Sequence, residues 1–176
     1  MTDRTPPRRS LGARVQTLYV RVLLRLLPLL LNVFRHASAK IRAEIGYLEP
    51  GYTFMLSVGG TDLAGTCRRT TKGTFERIPP ARIARDVEPG SGLAGADANA
   101  VTVDYVIAFR SLPYAFACFT GGTTLKGALA ERAFSTRGPN DTGVALTYMF
   151  TALLKMFFGW RAAYRSPAGA VPKELA

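Results

Sequence analysis

Between residues 17 and 34 the chain reads TLYVRVLLRLLPLLLNVF, its most apolar run. Wound on a helix of about 3.6 residues per turn, Arg14, Arg21, Arg25, Pro28, Asn32 and Arg35 recur at spacings of seven, four, three, four and three. They make one narrow stripe, and the rest of the surface is Leu, Val, Tyr and Phe. The pattern predicts a long amphipathic helix. Pro28 should kink it or start a second one, because proline lacks the amide that an inner helical turn needs.

From Tyr52 the texture changes. YTFMLSV and TDLAGTCRR read as two strands joined at Gly59-Gly60, a good two-residue hairpin turn because glycine accepts positive φ. TTKG (70–73) is a second turn and TFERI (74–78) a third strand. Pro79-Pro80 stop that strand. ARIARDV (81–87) suggests a short helix, and the small, glycine-rich stretch 88–100 suggests a loop. VTVDYVIAF (101–109) is rich in β-branched and aromatic residues and predicts a strand. Ser111 and Pro113 then open a short helix that Gly121-Gly122 close. A second short helix spans 123–132, a strand 133–138, and a long helix 142–158, capped by Asn140 or Asp141 and closed by Gly159.

The long helix carries Val144, Ala145, Leu146, Tyr148, Met149, Phe150, Leu153, Leu154, Met156 and Phe157, which point in every direction around its axis. A helix apolar all round is covered all round. One face can lie on the sheet. The other needs the N-terminal helix, a membrane or an apolar ligand. Methionine and phenylalanine adapt well to the lining of such a pocket. On these residues alone, a plain core helix is the simpler alternative.

Charge sharpens the reading of the N-terminal part. The chain has 176 residues, enough for one domain with extensions, and a formal net charge of +11. Residues 1–42 hold nine of the basic groups and one acid, Asp3, which is +8 of that total. We therefore divide the chain into a basic amphipathic arm (1–42), a folded domain (43–165) and a loose tail (166–176). Arg21 and Arg25 count against a membrane span, at about 2.5–3.5 kcal/mol each near its centre. They also interrupt the apolar stretch of an export signal, which RRSL (8–11) and ASA (37–39) otherwise imitate. A broad apolar face edged with arginine suits the headgroup boundary of an anionic membrane. In that reading Arg14, Arg21 and Arg25 meet headgroups, while Leu23, Leu27, Leu30 and Phe34 enter the acyl boundary. Packing of the apolar face on the protein's own domain is the alternative. No nucleic-acid partner is expected, because the basic residues are interleaved with Leu and Val and form no reading motif.

Chemistry is sparse. Cys67 and Cys118 are far apart without CxxC spacing and read as two free thiols. His36 is the single histidine, which leaves little for a zinc site. GGTTLKG (121–127) has its lysine on the wrong side of the last glycine for a phosphate loop, and a helix end explains those glycines better. No strand leads into a GxGxxG, and no GxSxG occurs. No catalytic residue, metal or cofactor is assigned.

One resemblance gathers these elements. Phe116, Phe119 and Gly122, the helix after them, then AFSTRGPNDTGVALTYMF with Gly138 and Asp141 resemble the C-terminal half of the sterol carrier protein-2 family. The hairpin TFMLSVGGTDLAGTCRR resembles that family's opening strands, so the likeness covers about residues 50–158. The family's Gly-Asp pair is here spread over Gly138-Pro139-Asn140-Asp141. The resemblance implies an α+β fold: a twisted, largely antiparallel five-stranded sheet, helices on one face, and an apolar tunnel between them. It implies a non-catalytic carrier or presenter of a sterol, fatty acyl or polyprenyl-type lipid. With an apolar N-terminal extension, the plan is similar to that of an accessory factor of ubiquinone biosynthesis. The implied partners are an apolar lipid, an anionic membrane surface and a lipid-modifying or quinone-biosynthesis enzyme. The implied place is cytoplasmic, peripheral at the inner face of the membrane. The alternative is a membrane-associated scaffold with no bound lipid. Our candidate liners are Phe109, Phe116 and Phe119 from the strand and first short helix, and Leu125, Leu129 and Phe134 from the elements after it. The long helix adds Leu146, Met149, Phe150, Leu153 and Phe157.

Overall fold

The computed structural model describes residues 11–83 and 101–163. Two helices, α1 (Leu11–Ala37) and α2 (Ala39–Gly46), precede three strands, β1 (Thr53–Val58), β2 (Ala64–Arg69) and β3 (Phe75–Ile78). A 3-10 turn at Pro80–Arg82 follows. Then come β4 (Tyr105–Phe109), α3 (Leu112–Phe119), α4 (Leu125–Ala130), β5 (Phe134–Arg137) and α5 (Asn140–Ala163). The strands form one five-stranded sheet in the order β3-β2-β1-β4-β5. The β1–β4 pair at its centre is parallel and the other pairs are antiparallel. The fold is thus α+β with a largely antiparallel sheet, as the sequence suggests.

Alternation decides which face is buried. Phe54, Leu56 and Val58 on β1 stand beside Tyr105, Ile107 and Phe109 on β4 and are buried with them. Among the described residues the other face carries Met55, Ser57, Val106 and Ala108, only half-buried. All five helices contribute to the core on the first face: Val20, Leu24, Leu27 and Leu31 from α1, Ile41 and Ile45 from α2, Cys118 and Phe119 from α3, Ala128 from α4, and Leu146, Met149 and Phe150 from α5.

α1 is therefore part of the domain's core rather than an appended arm, and a division at residue 42 falls inside α2. Burying a leucine side chain contributes about 1.5–3 kcal/mol, so this face of α1 stabilises the fold substantially. Gly65 on β2 permits the approach, since a Cβ there would stand 3.0 Å from the Leu24 carbonyl oxygen. The polar stripe also holds the helix down. Asn32 Nδ2 donates to the Phe75 carbonyl at 2.8 Å and its Oδ1 accepts from the Phe75 N–H at 2.7 Å. Arg35 donates to the Gly73 carbonyl at 2.7 Å, and Arg21 lies 3.5 Å from Asp62 in an exposed ion pair.

Several boundaries differ from the sequence reading. α1 continues through Pro28, which is buried among its leucines, and the chain breaks instead at Ser38, whose hydroxyl accepts from Ile41 N–H to start α2. The β1–β2 hairpin turns over a longer loop: Val58 N–H donates to Leu63, and Gly59 N–H is taken by the Phe109 carbonyl. Gly59 thus extends β1 along β4 instead of making a two-residue turn. β4 begins only at Tyr105, because the Asp104 carboxylate accepts from Thr53 N–H at 2.7 Å. α5 begins at Asn140 and runs past Gly159 to Ala163. A single glycine costs about 1 kcal/mol in a helix, too little to end one. The segment 84–100 and the tail 166–176 lie outside the described residues.

α5 is not covered on all sides. Ala145, Leu146, Met149, Phe150 and Leu153 are buried, while Val144, Tyr148 and Met156 are exposed. The expectation failed because it counted apolar residues without asking how many neighbours so small a fold can supply. α2 and α4 touch this helix and leave part of its circumference open.

Candidate functional site

α1 and α5 lie on the same face of the sheet, and between them is a cavity of about 220 Å³. Leu56 of β1 and Phe109 of β4 line it from the sheet. Tyr19, Leu23, Leu27 and Leu30 of α1 line one side, and Phe150, Leu153 and Leu154 of α5 another. Cys118 and Phe119 of α3 and Leu125 of α4 also border it. Val22 and Leu26 border it as well, and both are partly solvent-exposed, so the cavity opens along that edge of α1.

Local structure fixes these walls. α3 ends where the Gly121 and Gly122 amides donate to Cys118 and Ala117, which leaves Phe119 at its last position. Phe119 packs edge-on against Phe109 with centroids 5.2 Å apart, and Phe109 meets Phe134 at 5.7 Å with the rings tilted by 59°. Phe150 meets Phe54 edge-on at 5.8 Å. α4 starts at Thr124, whose hydroxyl accepts from Gly127 N–H at 2.9 Å.

Among the described residues, no charged side chain lines the cavity. Its hydroxyl and its thiol are both accounted for. Tyr19 Oη donates to the Phe119 carbonyl at 3.0 Å, and burial raises its pKa. The Cys118 thiol is pushed up to about 12, chiefly by burial and then by the negative charge of Glu131. At neutral pH it is a thiol and not a thiolate, so it is a poor nucleophile. Neither group offers general acid or base chemistry near neutrality. The lining is chemically suited to a hydrocarbon, and among the described residues it offers nothing to hold a phosphate or carboxylate.

Of the eleven residues singled out in the sequence, Phe109, Phe119, Leu125, Phe150 and Leu153 meet at this cavity. The others are elsewhere. Leu146 and Met149 are fully buried in the core. Phe116 packs edge-on against Tyr19, with centroids 5.3 Å apart. Phe134 lies behind Phe109. Leu129 is 59 % exposed, because the short α4 turns it outward. The side chain of Phe157 lies outside the described residues.

The membrane-contact leucines are also re-placed. Leu27 is 1 % exposed, and Leu23, Leu30 and Phe34 pack against the core. They face inward because Val20, Leu24 and Leu31 on the same side of the helix dock on the sheet. α1 instead exposes a second apolar stripe: Leu11, Val15, Leu18, Val22, Leu26, Leu29 and Val33. The sequence reading missed both the α1 wall of the cavity and this outer stripe. The signal was there: at 100° per residue, Tyr19, Leu23, Leu27 and Leu30 fall on one side of the helix and Leu18, Val22 and Leu29 on another.

No protein-family model matches the sequence, and no curated protein matches it. One solved structure, described as "UbiJ-SCP2 Ubiquinone synthesis protein", is similar to this chain at 13 % identity, with a TM-score of 0.42. The likeness covers 81 % of this chain and 97 % of that one. The element order seen here, a hairpin and third strand followed by β4-α3-α4-β5-α5, is the order that the resemblance to the sterol carrier protein-2 family implies.

Proposed function

We propose that the protein holds an apolar lipid chain of fatty acyl, polyprenyl or sterol type in the cavity between α1, α5 and the sheet. It does no chemistry on that chain, and presents it beside a membrane to a lipid-modifying or quinone-biosynthesis enzyme. The observation that supports this reading is the lining itself: apolar on every side and uncharged at neutral pH. Each CH₂ withdrawn from water contributes about 0.8 kcal/mol, so part of a long chain is enough for firm binding. The cavity is smaller than the roughly 300–1,000 Å³ of common small-molecule sites. The rest of a long lipid then stays outside, past Val22 and Leu26.

The test is lipid mass spectrometry on gently purified full-length protein, with Leu154→Trp and Leu153→Arg beside it. A lipid bound in stoichiometric amount, reduced in both variants while Leu154→Trp still melts cooperatively, supports the reading. The modest volume favours one alternative, an accessory protein that carries no lipid. Folded protein with no extractable lipid, and no uptake of a fluorescent fatty acid, would decide for that alternative.

A further inference from the structure

The outer stripe of α1 is turned largely to solvent. It lies opposite the face that docks on the sheet: Leu18 is 64 % and Leu29 58 % exposed, while Leu24 and Leu27 are buried. Burying one side of a helix is routine. Leaving a second apolar stripe in water along about 33 Å of it, from Leu11 to Val33 at 1.5 Å per residue, calls for a partner.

We propose that this stripe is the face on which the protein lies against an anionic phospholipid bilayer, and that it brings the cavity mouth into contact with the acyl layer. The second half of the proposal rests on the lipid-holding function above; the first half does not.

Three observations identify the partner. The first is charge. Residues 1–42 carry +8, and Arg14, Arg21 and Arg25 fall between the docked face and the outer stripe, along one border. Each basic side chain near an anionic surface contributes about 1 kcal/mol. The Arg21–Asp62 pair is exposed on both sides, so it competes weakly.

The second is spacing. From Leu11 to Val33 the stripe recurs at four, three, four, four, three and four residues, which keeps it straight on a straight helix. A left-handed coiled coil with a second copy needs a seven-residue repeat. Continued from Val15, Leu18 and Val22, that repeat puts Arg25 and Asn32 in the seam. Asn32 is already bonded to Phe75. Left-handed pairing with a second copy is thus disfavoured, and the arginine border favours a flat anionic surface.

The third is continuity. Val22 and Leu26 belong both to the outer stripe and to the cavity wall. A helix lying about 5–10 Å into the headgroup boundary places that edge among acyl chains. An apolar chain then passes between bilayer and cavity without crossing water.

The experiment is flotation of the full-length protein with phosphatidylcholine vesicles, with and without phosphatidylglycerol, beside Leu18→Glu/Leu29→Glu and Arg14→Gln/Arg25→Gln. Neither pair touches the cavity. We expect binding to the anionic vesicles, reduced at least about tenfold by the glutamates with melting temperature and lipid content unchanged. The glutamine pair weakens binding only to the anionic vesicles. Unchanged binding in the glutamate variant overturns the proposal. So does a dimeric protein that the glutamates make monomeric and that never binds vesicles, which marks the stripe as a self-association face. Loss of vesicle binding with an undiminished rate of fluorescent-lipid transfer between vesicles upholds the docking face and overturns the direct route into the cavity.

Discussion

The side-chain amide of Asn32 gives Phe75 both hydrogen bonds that a neighbouring strand would give it, one donated at 2.8 Å and one accepted at 2.7 Å. β3 is an edge strand of the sheet, and this amide occupies part of its open side. An edge so covered is less available for pairing with another chain.

Asn32→Leu keeps the helix and its bulk but strands the Phe75 amide and carbonyl. Unsatisfied groups of this kind cost about 1–3 kcal/mol. We expect that loss in urea unfolding of the full-length protein. A change below about 0.5 kcal/mol, the scale of an ordinary surface substitution, would show that α1 does not rest on β3 in solution.

Deleting residues 1–37 should unfold the domain, not release it. The deletion removes Val20, Leu24, Leu27 and Leu31 from the core. Circular dichroism and amide exchange of the shortened chain would show this as loss of cooperative melting. A shortened chain that melts as sharply as the whole would mean that α1 is dispensable.

Gly143→Ala tests how α5 meets the sheet. The added Cβ would lie 2.3 Å from Tyr105 Oη and 2.8 Å from Cζ. Alanine gains about 1 kcal/mol of helix propensity over glycine, while overpacking costs about 1–3 kcal/mol. We expect net destabilisation by thermal melting. Adding Tyr105→Phe removes the nearest atom and should restore part of the loss. Equal stability of the single and double variants would exclude this contact as the cause.

Alkaline pH should destabilise the fold. Burial pushes the Cys67 and Cys118 thiols from 9.0 up to about 12, and the Tyr52 hydroxyl from 10.0 up to about 12. Above pH 9 the unfolded chain loses these protons while the folded one keeps them, so the unfolded state gains. The stability is fully present below pH 9 and is lost as pH rises toward 12, by at most about 1.4 kcal/mol per pH unit for each buried thiol. Melting temperatures at pH 8 and pH 10.5 check this. Cys67→Ala/Cys118→Ala should flatten the slope. An unchanged slope would assign it to other groups.

Much of the architecture follows from local pattern. The third-strand turn at TTKG, the paired glycines after α3, the threonine start of α4 and the apolar run of α5 all stand where the residues suggest, because turns and caps are decided by a few neighbouring groups. Phe119 of α3 and Phe150 of α5 are among the five candidate liners that reach the cavity. Residue types alone could not separate those from Leu146 and Met149, which differ only in the side of α5 they occupy.

What the sequence determined by itself is the kind of elements, their order and the concentration of positive charge before residue 43. What only the tertiary structure decided is which side of each apolar helix is spoken for. Around α1, leucine and valine stand on three sides, and all are equally hydrophobic as letters. Gly65 admits the backbone of Leu24, Asn32 finds Phe75, and these two long-range contacts fix the rotation of the helix. That rotation turns Leu27 into the core, Leu23 toward the cavity and Leu18 outward. Hydrophobic burial is not directional, so pattern can count apolar faces but cannot choose among them. Close approach and hydrogen bonding between distant segments make that choice.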